Sequence, residues 1–365
     1  MISRIHLAWA AALTALITSG GAAAIEPIGQ DTGAEGSAVA FVYHRFGEDE
    51  YPSTSIQLAQ FEAQLDYLEE HEYTVWPLEW IVDVLRHGGE LPERTVALTV
   101  DDAYASVYEE AFPRLQERGW PLTVFVATEP VDAGHPNYMD WEQMREMRDS
   151  GLVRFANHSA SHDYMARRDP DEDREAWQER VRADLAEAEQ RLQEELGEGV
   201  SNDPKLFAYP YGEYDPHLAE IVREAGYVGL GQHSGAIGPL SDVRALPRFP
   251  VNEQFGALED FTLRAQSLPL PVVEMTPFDP LIAENNPPRM ELHLASAEEV
   301  ATDRLNCFAS GQGGMEIEWL DAERTQFAVE ADAPFGEGRA RYNCTAPADD
   351  GSGRFFWYSK QWLNH

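Results

Sequence analysis

From residue 38 onward the chain alternates two kinds of pattern. Short β-branched or aromatic runs at Ala38–Tyr43, Tyr73–Trp76, Val96–Val100, Leu122–Ala127, Val153–Ala156, Leu206–Tyr209 and Tyr227–Leu230 predict strands. Between them apolar residues recur at helical spacing. Leu58, Phe61, Leu65 and Leu68 mark one helix, and a second runs from about Leu78 to Leu85 and stops at Gly88-Gly89. The longest carries Trp177, Val181, Leu185, Ala188, Leu192 and Leu196 on one stripe among Glu, Arg and Gln, with Gly197 ending it. Seven strand–helix alternations favour parallel strands joined by helical crossovers, and a distorted, closed or nearly closed (β/α)7-type barrel suits this length. Loops after the C-terminal ends of such strands carry the chemistry.

The pattern changes near residue 270. The segment SLPLPVVEMTP is Pro-rich and reads as a linker. Beyond it, alternating runs at Met290–Leu294, Met315–Leu320, Thr325–Val329, Arg339–Cys344 and Arg354–Trp357 predict antiparallel strands of a small C-terminal all-β sandwich. The expected division is a signal at 1–24, a polar linker at 25–37, the α/β domain at 38–268 and the sandwich at 269–365. The order Cys307, Trp319, Tyr342-Asn343-Cys344 resembles an immunoglobulin-like sandwich, with a generic β-sandwich as the alternative.

The N-terminus changes the expected location. Arg4, the apolar stretch Leu7–Ile17 and the small residues Ala22-Ala23-Ala24 before Ile25 read as a secretory signal, too short for a comfortable membrane span. The mature chain is expected outside the cytoplasm, in the periplasm or beyond, without stable membrane insertion. There the two cysteines, Cys307 and Cys344, suggest a disulfide. Net charge is −37, from 64 acidic against 27 basic side chains, which argues against nucleic acid or anionic lipid as a partner.

Three motifs carry candidate chemistry, each after a strand. Asp101 and Asp102 end the run VALTV. Adjacent carboxylates repel, but with a bound cation one can ligate while the other stays free as a base; a helix N-cap pair is the plainer reading. His158 and His162, in HSASH, can converge from one turn, and imidazole with carboxylate suits zinc or a similar divalent ion. HxxxH alone is weak, but in a parallel α/β fold the strand ends share one rim. In Phe207-Ala208-Tyr209-Pro210-Tyr211-Gly212 a backbone N–H could face a developing oxyanion, or the segment is an ordinary turn. His71, His87, His135, His217 and His293 stand isolated. Asn157-His-Ser and Asn343-Cys-Thr match the glycosylation pattern, which is frequent by chance.

In this order, TVDDAY, HSASH and FAYPYG resemble the three motifs of the polysaccharide deacetylase family, the NodB-homology or carbohydrate esterase 4 group, over about residues 38 to 265. The resemblance implies Asp101 as general base, Asp102, His158 and His162 as metal ligands, and the Tyr211 backbone amide as oxyanion donor. The metal would be zinc, with cobalt or nickel as alternatives. Two departures stand out: Ala103 replaces a usual Gly, and the usual Arg of the third motif is Ala208, for which Arg248 in LPRFP is a substitute candidate. Tyr43-His44 closing the first strand resembles the permuted branch that includes exported poly-β-1,6-N-acetylglucosamine deacetylases. This nominates His44 as general acid, with His233 as the other candidate.

The expected activity is metal-dependent N-deacetylation of an N-acetylglucosamine-containing polymer or oligomer. The alternatives are an O-acetyl esterase or cyclic-amide hydrolase on the same site, or a non-catalytic glycan binder. The sequence leaves oligomeric state and the role of the sandwich open.

Overall fold

The structure, a computed structural model, describes residues 23–29, 33, 35–197 and 203–365. The expected signal lies outside these residues except for Ala23–Ala24, which pair antiparallel with Glu274–Met275. Part of the expected linker is pinned to the loop at 239–242: Ile28 is buried, with its N–H on the Ser241 carbonyl.

The first unit is a parallel sheet with helices outside it. Its strands are Ala38–Tyr43, Thr74–Val75, Thr95–Asp101, Leu122–Val126, Val153–Asn157, Lys205–Ala208, Tyr227–Leu230 and Phe249–Pro250. Across the sheet the order runs from Tyr227–Leu230 through Thr95–Asp101 and Ala38–Tyr43 to Phe249–Pro250, every pairing parallel. The segment 243–250 nearly closes the ring, bridging Leu230 at Leu246 and pairing with Phe41 at Phe249. This is the distorted barrel expected. Its strands read as continuous apolar runs because both faces are covered; Ala38–Tyr43 and Thr95–Asp101 are buried throughout.

The helix Arg174–Leu196 buries the six residues of its predicted stripe, from Trp177 to Leu196, and Asp173 caps its N-terminus by accepting from the Ala176 N–H. The two helices expected after the first strands are present at Leu58–Glu70 and Leu78–Arg86, and further helices at Phe112–Arg118, Thr128–Asp132, Trp141–Asp149, Pro216–Glu224 and Leu258–Ala265 add to the shell. No helix among the described residues is long and apolar enough to cross a membrane.

The second unit has two five-stranded sheets. One contains Val272–Thr276, Met290–Leu294, Glu318–Trp319 and Gln326–Val329; the other contains Asn306–Ala309, Gly313–Met315, Gly338–Pro347 and Phe355–Asn364. The Pro-rich segment read as a linker is therefore partly strand, and it buries Val272 and Met275. Cys307 and Cys344 form the disulfide, directly opposite one another on neighbouring strands of one sheet. The immunoglobulin pattern instead places its bridge between sheets. Tyr342 accepts from the Ala331 N–H and donates to the Pro288 carbonyl.

The two units share one apolar core. Barrel residues Phe207, Tyr209 and Tyr214 belong to the same buried cluster as Phe278, Met290 and Trp362, and Leu268–Pro269 pair in parallel with Phe356–Trp357.

Candidate active site and metal centre

The strand Thr95–Asp101 ends with its last carboxylate at the rim. Asp101 is fully buried, and Arg248 grips it with two bonds: Nη1 to Oδ1 at 2.7 Å and Nη2 to Oδ2 at 2.9 Å. The guanidinium is itself fully buried and also bonds the Gly231 carbonyl and the Thr99 hydroxyl. Gln232 adds a donor to Asp101 Oδ2 at 3.2 Å. Burial pushes the Asp101 carboxyl up, but Arg248 and the imidazoles of His158 and His44 prevail and hold it below its usual value. Arg248 is thus the guanidinium paired with Asp101 in this fold.

One residue on, Asp102 points elsewhere. Its Oδ1 lies 2.9 Å from His162 Nε2 and 3.2 Å from His158 Nε2. Burial raises its carboxyl, yet the two imidazoles outweigh that and keep it well below the ordinary carboxylate range. Among the described residues, Asp102, His158 and His162 are the group whose potential ligand atoms converge, all within 4.8 Å of one another. Two observations fit a cation there. Asp102 Oδ1 and His158 Nε2 are buried without a well-formed hydrogen bond. His158 Nδ1 lies 2.7 Å from the Ala208 carbonyl, an acceptor, which fixes the proton on Nδ1 and turns the Nε2 lone pair inward.

The loops reach these positions at a conformational cost. Asp102, Ala103, Ser159, His162 and Tyr211 all have positive φ, from 59° to 73°. Left-handed backbone costs a non-glycine residue about 1–2 kcal/mol, and such strain persists where surroundings over-determine it. Ala103 sits at φ 62°, which explains why the resembled pattern has glycine at this point. The HSASH loop is fixed by Asp184, whose oxygens accept from the Ala160 and Ser161 N–H groups, and by Asn157, which accepts from Ser159 N–H. Asn157 also donates to the Leu185 carbonyl and is buried, so in the folded chain its glycosylation match is a structural residue.

His44 follows the first strand and lies in the field of Asp102, Asp101, Arg248 and His158; burial lowers its pKa against the pull of the two carboxylates. His233 lies apart. Burial and the cations Lys360, Arg341 and Arg248 lower it to about 3, and it lines a separate cavity of about 750 Å³ between the barrel and the β-domain. The structure therefore brings Asp101, Asp102, His158, His162, Arg248 and His44 together, and leaves His233 outside.

Tyr211 joins the group through its ring, which packs 4.7 Å from His162 and stacks on Tyr164 at 4.0 Å. Tyr104 and Tyr138, 4.8 Å apart, lie within the field of Asp102. Sequence reading missed Tyr104, Tyr138, Tyr164, Asp184 and Gln232. Tyr104 was within the quoted TVDDAY and Gln232 beside His233, but the others carried no local signal.

Several known proteins are similar to this chain. The profile of the polysaccharide deacetylase family matches residues 88–230. A Staphylococcus aureus poly-β-1,6-N-acetyl-D-glucosamine N-deacetylase is 24% identical over 217 residues, 58% of this chain and 73% of that one. An Escherichia coli enzyme of the same name is 26% identical over 228 residues, 53% of this chain and 33% of that one. Among solved structures, IcaB from Ammonifex degensii superposes with a TM-score of 0.53 at 28% identity, over 64% of this chain and all (100%) of that one. This chain carries a polysaccharide deacetylase domain of the NodB type, homologous to those N-deacetylases.

Proposed function

We propose that this protein is a metal-dependent deacetylase that removes acetyl groups from the amino-sugar nitrogens of an N-acetylglucosamine-containing polymer or oligomer. The observation that carries the reading is the division of labour between two adjacent carboxylates: Asp102 faces two imidazoles, while Asp101 faces Arg248. One set of residues can hold a cation while a separate ionised carboxylate remains to accept a proton.

Asp102, His158 and His162 would hold the cation, and histidine with carboxylate suits zinc, with cobalt and nickel as alternatives. When bound, such an ion lowers the pKa of a water molecule and polarises the acetyl carbonyl. Asp101 takes a proton from the attacking water, whose oxygen bonds the acetyl carbon. The Tyr211 N–H donates to the carbonyl oxygen as negative charge develops there. As the carbon–nitrogen bond breaks, His44 gives a proton to the departing amine, and acetate leaves. Its lowered pKa makes its protonated form a stronger acid while shrinking the protonated fraction at neutral pH. Arg248 holds Asp101 in place and keeps it ionised.

The names of the relatives support a poly-β-1,6-linked substrate, and Tyr104, Tyr138 and Tyr211 surround the centre as aromatic groups on which a sugar could pack. We further infer an exported protein with a signal at residues 1–24, a deacetylase domain at 38–268 and a β-domain at 269–365. The test is acetate release from N-acetylated and O-acetylated oligosaccharides, with and without chelator. Chelator-sensitive release from the N-acetylated set supports the reading. Release from O-acetylated sugars alone would make the protein an esterase, and no release from either would leave a glycan binder.

A further inference from the structure

The turn that offers the Tyr211 amide is shaped partly from outside the barrel. Tyr211 sits at φ 59°, ψ 4°, and Gly212 follows at φ 70°. A Cβ at Gly212 would come within 2.7 Å of the Gln232 side chain, so glycine is required there. Bonds within the turn run from Gly212 N–H to the Tyr209 carbonyl and from Glu213 N–H to the Pro210 carbonyl. The carbonyls of Tyr211 and Gly212 bond instead to the β-domain. Arg339 Nη1 donates to the Tyr211 carbonyl at 2.5 Å, and Gln361 Nε2 donates to the Gly212 carbonyl at 2.7 Å.

These two donors lie on paired strands. Arg341 is opposite Gln361 and Arg339 opposite Leu363, so Arg339 and Gln361 share a sheet face, while Ala340 and Tyr342 point to the sandwich core. Gln361 is buried and its amide nitrogen donates to the turn; Arg339 is exposed at the rim. A left-handed tyrosine is held only where its neighbours fix it. Fixing the Tyr211 carbonyl holds the peptide plane that follows it, which limits the φ and ψ the residue can take and so restricts where its N–H points.

We propose that the C-terminal β-domain is part of the catalytic unit, with Arg339 and Gln361 as positioning residues that hold the Tyr211–Gly212 turn in its donor geometry. The inference rests on the deacetylase reading above and assigns the β-domain a role within it. If the contacts merely docked one domain on the other, losing them would lower stability without a selective effect on turnover.

The experiment measures kcat, KM, zinc content and Tm of the full chain carrying Arg339→Ala, Arg339→Lys, Gln361→Leu or Arg354→Ala. Arg354 is the control, since it joins the same two domains through the Gln266 carbonyl, away from the turn. Arg339→Ala and Gln361→Leu should each lower kcat about 10-fold or more, with KM changed less than about twofold and zinc retained. Arg339→Lys should recover most of the loss, and Arg354→Ala should keep the parent kcat. Parent-like kcat in both Arg339→Ala and Gln361→Leu, or equal loss in Arg354→Ala, would overturn the proposal while leaving the deacetylase reading intact. A zinc-loaded parent that releases no acetate would instead remove that reading, and this inference with it.

Discussion

Arg248 and Asp101, 147 residues apart in sequence, meet as a fully buried bidentate pair beneath the candidate metal centre. A buried pair is weak evidence for stability, but removing one partner strands the other charge and costs about 3–5 kcal/mol. Arg248→Met should therefore lower both stability and turnover. Arg248→Lys keeps the charge but loses the planar fork, so it should recover more stability than activity. Denaturant melts and kcat measured on the same preparations check this; full activity in Arg248→Met would remove Arg248 from the mechanism.

His44 and His233 make a second comparison. His44 sits in the field of both aspartates, whereas the charges acting on His233 are Lys360, Arg341 and Arg248. His44→Ala should cut kcat by about 100-fold or more, the usual range for a general acid, with metal content unchanged. His233→Ala should leave kcat within a few-fold of the parent. Loss from His233→Ala and none from His44→Ala would reverse the assignment.

A third prediction concerns pH and stability away from the centre. Lys360 is buried, its ammonium bonded to the Phe278 carbonyl and packed near Tyr214, Phe278 and Trp362. Burial lowers its pKa from 10.5 to about 7. Between those two values the unfolded chain holds the proton and the folded chain does not, so this residue makes stability rise with pH across that window. The slope is about 1.4 kcal/mol per pH unit for one proton. Below pH 7 both states are protonated and the cost of the buried charge is fully present. Lys360→Met should flatten the stability curve of the parent between pH 7 and 10, with its largest gain at and below pH 7. Parallel curves for the two proteins would contradict the assignment.

How much of this was legible in the sequence follows the range of each interaction. The barrel strands and the stripe on Arg174–Leu196 were readable because burial on one or both faces imprints a local period. The candidate metal group was readable because its three residues come from two short motifs after strands. The Arg248 partnership could be proposed only as a substitute for the arginine missing at position 208, since nothing local in LPRFP marks a residue for a carboxylate 147 positions away. Asp184, on the outside of a charged helix, looks like one more solvated acid until the loop it binds is folded against it. Arg339 and Gln361 follow the same logic: a polar residue facing away from a sandwich core reads as solvent-exposed when the neighbouring domain is not in view. The segment 267–277 was misread because its prolines outweighed a short strand whose register shifts after Val272, so that Val272 and Met275 are buried without a regular alternation to mark it.

The central claim is that Asp102, His158 and His162 close around one cation beside an ionised Asp101. The most direct measurement is zinc bound per chain, determined together with acetate release from N-acetylglucosamine oligomers, for the parent, Asp102→Asn and Asp101→Asn. The account predicts about one zinc in the parent and activity lost on chelation and regained with zinc. It predicts little zinc and no activity in Asp102→Asn, and retained zinc without activity in Asp101→Asn. Zinc-free protein that still releases acetate at the parent rate, or Asp102→Asn that binds zinc as tightly as the parent, would contradict it.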